Sequence, residues 1–210
     1  KYMGPFQSIN KRLTTAVKTE SEDTNMHKEN ISASEALKKL QDGNQRYLTA
    51  ETSTGNISSI LRKKTTDEGQ LPYAIVITCS DSRVIPESIF MAGIGEIFVI
   101  RVAGNVMDNH QLGSVEYAAD HLGTKLVVVL GHTHCGAVGA ALAGGGEGYI
   151  KYLTDEIRRA IGDEKDETKA CCLNVQQSVS VINEKLHLAD DVKVCGAVYH
   201  IDSGKVEFLD

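Results

Sequence analysis

The chain has 210 residues, 41% hydrophobic and 24% charged, which is the composition of an ordinary globular protein long enough for one sizeable core. No apolar run approaches the ~20 residues that a helix needs to cross a bilayer, and the formal net charge of -6 works against nucleic-acid binding, which depends on Lys and Arg neutralising phosphates. The five cysteines are too sparse for the disulfide framework of a small secreted domain and read as reduced thiols.

Residues 1–30 are polar, mixed in charge and without a sustained apolar period, so they read as a flexible or appended arm ahead of a single folded domain at 31–210. The chain opens on Lys1 and its start lacks the apolar core of a signal peptide, which gives a cytoplasmic expectation with any targeting segment absent or removed. Ser32 and Glu35 form a capping-box pattern. Leu37, Leu40, Asn44, Tyr47 and Leu48 continue from it at helical spacing, predicting a helix over 33–49. The Ser/Thr/Gly-rich stretch from Ala50 to Gln70 breaks that period and reads as a connecting loop with one short helical turn near Ile60; its basic run Arg62-Lys63-Lys64 reads as solvated.

From Tyr73 the character changes. Tyr73 to Thr78 is a short β-branched run after Pro72 and predicts a buried strand. Runs of the same kind recur at 97–102, 125–130 and 192–198, near-continuously apolar, as in parallel strands covered on both faces. Helices are expected between them: one opened by Pro86, one carrying Leu112, Val115, Ala119 and Leu122 and ending at Gly123, and one from Cys135 to Leu142. A fourth carries Ile150, Leu153, Ile157 and Ile161, and a fifth Val175, Val179, Ile182 and Leu186. The alternation predicts an α/β fold: an open, mainly parallel sheet flanked by helices, with an N-terminal helical arm. The turn Asp202-Ser203-Gly204 before Val206 to Leu209 folds the last strand back as an antiparallel edge.

Cys79 stands directly after the first strand, and His132 and Cys135 directly after the third. Sites in open α/β sheets gather beyond the carboxyl ends of the strands, so the three can converge. Two thiolates and an imidazole suit Zn²⁺, and three protein ligands leave a fourth position for water, the mark of a catalytic site. Taken alone, these residues leave open that Cys79 is a small buried hydrophobe and that His132 and Cys135 merely occupy a loop. Asp81 and Arg83 shift the balance, because a carboxylate at a strand's carboxyl end can be held ionised by a guanidinium fork.

The segment Cys79-Ser80-Asp81-Ser82-Arg83, followed by Gly131-His132-Thr133-His134-Cys135-Gly136, resembles the paired signature of the β-class carbonic anhydrases. The likeness runs from about Leu40 to the C-terminus through Gly43-Asn44-Gln45-Arg46-Tyr47, the stretch from Phe98 to Asn105, Gly113-Ser114-Val115-Glu116-Tyr117 and Gly196-Ala197-Val198-Tyr199. The resemblance implies reversible hydration of carbon dioxide to bicarbonate and a proton, with Cys79, His132 and Cys135 as zinc ligands. A zinc-bound hydroxide is then the nucleophile, oriented by the Asp81–Arg83 dyad, which accepts a proton. It further implies that Gln70, nine residues before the first ligand, binds substrate, that Phe98 and Tyr117 line the pocket, and that Gly136 borders it. Part of the lining in such relatives comes from a partner subunit, which implies a homodimer or homotetramer, with no nucleic-acid or membrane partner. Asp81 in this family either bonds the arginine or takes the metal's fourth position, and Gln70 together with Thr78 favours the former. Ala103-Gly104-Asn105 departs from plant members, which carry valine ahead of Ala-Asn.

Two other readings keep the metal: hydrolysis of carbonyl sulfide or carbon disulfide on the same fold, and a non-catalytic zinc-binding or redox-sensing protein, which would need none of Asp81, Arg83 and Gln70. His134 reads as a rim histidine or a proton shuttle. Cys171, Cys172 and Cys195 read as buried thiols. Gly144-Gly145-Gly146 lacks the Lys-Ser/Thr of a phosphate loop and reads as a turn.

Overall fold

A computed structural model describes residues 29–52 and 55–209, so the arm expected at the start of the chain lies almost wholly outside the described residues. Four parallel strands, β1 (Ala74–Thr78), β2 (Ile97–Arg101), β3 (Leu126–His132) and β4 (Lys193–Tyr199), form one sheet, and β5 (Val206–Phe208) runs antiparallel to β4. The spatial order is β2-β1-β3-β4-β5. β1 and β3 therefore sit inside the sheet with every residue buried, which is why their sequences are continuous apolar runs and not alternations.

The period of two along a strand divides these residues between two core layers. Val76, Val128 and Leu130 face the layer of α1 (Ala33–Tyr47) and α3 (Pro86–Ile89), packing with Leu40, Ile89 and Phe90. Ile75, Ile77, Val127 and Val129 face the other layer with Val115 of α4 (Asn109–Asp120) and Val175 and Ile182 of α7 (Glu167–Lys185). A third cluster lies beyond the carboxyl ends of β1 and β3, where Val138 of α5 (Gly136–Leu142) and Ile157 of α6 (Ile150–Ile161) meet Cys79, Cys135 and Cys171.

α1 starts as expected: Ser32 and Glu35 bond reciprocally in a capping box. At Gly43 a Cβ would lie 2.1 Å from the Phe90 carbonyl oxygen, so only glycine lets α1 lie this close to the end of α3. Asn44, expected as one more position on an apolar face, is a buried polar peg. Its Nδ2 donates to Gly204 O at 2.9 Å and its Oδ1 accepts Val206 N at 2.9 Å, which fixes the turn into β5.

The segment expected as a loop with one helical turn holds a ten-residue helix, α2 (Ser59–Glu68), capped by Ser58, whose Oγ accepts from Leu61 N at 3.2 Å. It buries none of its residues, so no apolar period could announce it. α7 begins behind N-cap Asp166, well before the first apolar position read from sequence. β3 runs on to His132, so that histidine is the strand's last residue and not the first beyond it. Among the described residues no helix is long and apolar enough to cross a membrane.

Candidate metal centre

Thr78 ends β1, and its hydroxyl donates to Leu130 O at 2.7 Å, tying together the carboxyl ends of β1 and β3. Cys79 emerges from one strand, His132 ends the other, and Cys135 is the N-cap of α5. Their ligand atoms lie within 4.8 Å of one another, and all three residues are buried.

His132 Nδ1 lies 2.8 Å from Thr133 O. A carbonyl can only accept, so Nδ1 carries the proton and the lone pair stands on Nε2. Nε2 is buried and has no hydrogen-bond partner. Buried polar atoms are nearly always paired; an orphaned imidazole lone pair between two sulfurs is what a bound Zn²⁺ would resolve, and the donor set fits that ion.

Bonding from Cys135 and from backbone amides, including that of Gly104, lowers the Cys79 thiol against the effect of burial. Cys135 is pushed the other way by its bond to Cys79 and by burial. Gly104 N–H donates to Cys79 Sγ at 3.3 Å.

Asp81 and Arg83 stand at the mouth of this cluster. Arg83 Nε donates to Asp81 Oδ1 at 3.0 Å and Nη2 to Oδ2 at 2.7 Å, a two-bond fork, while the Arg83 amide adds a bond to Oδ1 at 2.9 Å. The Arg83 side chain holds Asp81 well below the usual carboxylate range, and burial opposes this only in part. Asp81 Oδ2 lies 4.0 Å from His132 Nε2. Arg83 Nη2 also donates to His134 O at 3.0 Å, joining the two halves of the signature. Arg101, which sequence reading did not single out, donates to Cys79 O at 3.1 Å and to Asp81 O at 2.7 Å. A charged residue closing an otherwise apolar strand beside the Cys79 strand was the signal that could have found it.

Gly136 is exposed beside Cys135 as the first residue of α5. His134 points outward at a φ of 56°, its Nδ1 3.9 Å from Glu167 Oε2. The remaining three residues lie elsewhere in the chain. Gln70 is exposed and precedes β1, whereas Cys79 follows it, and a five-residue strand spans ~17 Å. Phe98 pairs with Ile75 near the start of β1. Its ring meets Tyr117 of α4 at a centroid distance of 6.2 Å, and Tyr117 remains 47% exposed. One chain therefore brings together Cys79, Asp81, Arg83, His132, Cys135 and Gly136, and leaves Gln70, Phe98 and Tyr117 apart from them.

Residues 74–206 match the family model of carbonic anhydrase. The fold is similar to that of a crystal structure of a β-carbonic anhydrase of Aspergillus fumigatus, with a TM-score of 0.64 and 28% identity over 72% of this chain and 86% of that one. The chain belongs to the β-class carbonic anhydrases. A carbonic anhydrase of Mycolicibacterium smegmatis is 35% identical over 189 residues, covering 82% of this chain and 91% of that protein. Structures described as tetrameric β-carbonic anhydrases of Sordaria macrospora align with a TM-score of 0.58 and 28% identity, over 72% of this chain and 91% of theirs. As a carbonic anhydrase the chain is an enzyme, which removes the non-catalytic reading. The Cys-His-Cys cluster sits in the family's matched region.

Proposed function

We propose that this carbonic anhydrase hydrates carbon dioxide reversibly to bicarbonate and a proton at a Zn²⁺ held by Cys79, His132 and Cys135, with Asp81 and Arg83 as the acid–base dyad. Zinc in such a set supplies Lewis acidity that makes water ionise far more readily, a behaviour for which carbonic anhydrases are the standard illustration. The chain's own residues do the rest. Arg83 occupies both Asp81 oxygens, which keeps the carboxylate ionised and engaged by the guanidinium. Asp81 Oδ2 can accept the proton that the reaction releases, and the Arg83 fork fixes where that acceptor stands. The observation that carries this reading is the fork itself, with Oδ2 4.0 Å from the unpartnered His132 Nε2. A carboxylate engaged by arginine supports the open arrangement over the one in which Asp81 takes the fourth metal position.

Gln70, Phe98 and Tyr117 serve the centre of a partner subunit in a dimer or a tetramer of this chain. Supporting this are the exposure of Gln70 and Tyr117, with the half-buried Phe98 against Tyr117 near the start of β1, and the tetrameric state named for the Sordaria macrospora relatives.

Zinc analysis beside stopped-flow carbon dioxide hydration tests the reading, with sulfide release from carbonyl sulfide as a second arm on the same protein. Asp81→Asn should keep one zinc per chain and lose roughly 100-fold or more in turnover, the scale of losing a proton-transfer group. Full activity in that variant removes the dyad role, and sulfide release outpacing hydration would reassign the substrate.

A further inference from the structure

Cys79 is held by more than its own strand. After β2 the chain turns through Ala103–Asn105, with Gly104 at φ 70° and Asn105 at φ 44°. Glycine and asparagine are the residues that enter this left-handed backbone most readily, so the sequence suits the turn. The turn is aimed at the metal cluster, since it is Gly104 N–H that meets Cys79 Sγ at 3.3 Å. Its far side is closed: a Cβ on Gly104 would lie 2.7 Å from Ile157 Cδ1 and 3.1 Å from Ala137 Cβ.

What holds the turn comes from α7. Asn174 Nδ2 donates to Gly104 O at 2.7 Å, and Ser178 Oγ donates to Asn105 O at 3.0 Å, with Asn174 O also within reach at 3.1 Å. The two side chains stand one helical turn apart and are only 3% and 4% exposed, beside the core residues Val175 and Ile182. A buried polar pair on a packed helix face costs stability unless its hydrogen bonds are made, and the bonds made here go to the two carbonyls of this turn.

We propose that Asn174 and Ser178 are positioning residues for the zinc centre, locking the left-handed Ala103–Asn105 turn so that the Gly104 amide stays on the Cys79 sulfur. They touch neither metal nor substrate and act through Gly104. An amide fixed on one side of a thiolate sulfur orients its remaining lone pairs and disperses its charge, as outer hydrogen-bond partners of metal ligands generally do. The inference rests on the reading that Cys79 is a zinc ligand.

The test uses the full chain, with zinc affinity from competition with a chromophoric chelator, the thiolate-to-metal charge-transfer band of the cobalt-loaded protein, and thermal melting of the zinc-free form. Asn174→Ala should weaken zinc binding about 10- to 100-fold, the range for losing an outer partner of a metal ligand, and should shift the cobalt band. Ser178→Ala should do the same to a smaller degree, and Ser178→Thr, which keeps the hydroxyl, should restore both readouts. The Ser178 pair decides the matter even where Asn174→Ala fails to fold. Variants that melt earlier yet bind zinc with parental affinity and an unchanged cobalt band would overturn the proposal, leaving Asn174 and Ser178 as core packing. Failure of the underlying reading looks different: a parent chain that binds no zinc, or a Cys79→Ser variant that binds it fully, overturns both.

Discussion

Arg83 reaches Asp81 through two separate nitrogens and spends one of them again on the His134 carbonyl. A planar fork can do this and an ammonium cannot, so charge and geometry are separable at this position. Arg83→Lys keeps the positive charge but offers a single point of contact. Turnover should fall roughly 10-fold or more while zinc content stays at the parental level, as measured by metal analysis beside stopped-flow hydration; parental turnover would mean that charge alone suffices. At this scale the Cys-His-Cys cluster was legible because strand ends concentrate chemistry, and Cys79, His132 and Cys135 stand at two such ends, with the family resemblance tipping a reading that position alone left open. Asn174 and Ser178 were not. A lone polar residue in a helix carries no spacing signal, and what makes it matter is a carbonyl 70 residues away in sequence.

The elements are joined by contacts that pH can probe. Lys39 of α1 lies over the Tyr73 ring at 3.9 Å and pairs with Glu96 Oε1 at 3.0 Å, while Glu96 Oε2 accepts Gly93 N at 2.6 Å. This carboxylate thus ties the first helix to the turn that feeds β2. Burial alone would raise the Glu96 pKa, but the Gly93 amide and Lys39 together outweigh it, and the net shift is downward. A lowered folded-state pKa means stability that is present above the ordinary glutamate value of ~4.3 and is lost as pH falls through the folded value. Glu96→Gln should therefore lower stability at pH 7 by about 1 kcal/mol or less, since the pair is partly solvent-screened. The gap from the parent should close in acid, below the ordinary glutamate value, as the carboxylate protonates. Thermal melts at pH 7 and in acid check this, and a gap that persists in acid would place the effect in packing. The strands and most helices were legible from apolar period, but α2 was not, because a helix with no buried residue leaves no period to read. The early start of α7 was hidden likewise, its first turns carrying Glu167, Thr168 and Lys169 ahead of the apolar stripe.

For the whole molecule, the parallel sheet with its antiparallel edge was legible from the order of runs and turns, because connection rules leave few alternatives once strands and helices alternate. The resemblance implies that a partner chain supplies part of the lining, but which residues it supplies was not legible, since a motif names residues without saying whose centre they serve. Gln70 and Cys79 flank β1 at opposite ends, and on the proposed pairing two chains exchange these roles symmetrically. Two individually crippled chains should then repair each other. A Cys79→Ser chain still offers a sound Gln70 to its neighbour, and a Gln70→Ala chain still offers a sound ligand set. Unfolded together in equal amounts and refolded with zinc, they form mixed dimers in which one centre is doubly damaged and the other whole. Random pairing makes about half of the dimers mixed, so hydration should return to roughly a quarter of the parental rate, well above that of either variant refolded alone. Recovery no greater than the average of the two separate variants would mean that every chain works only for itself.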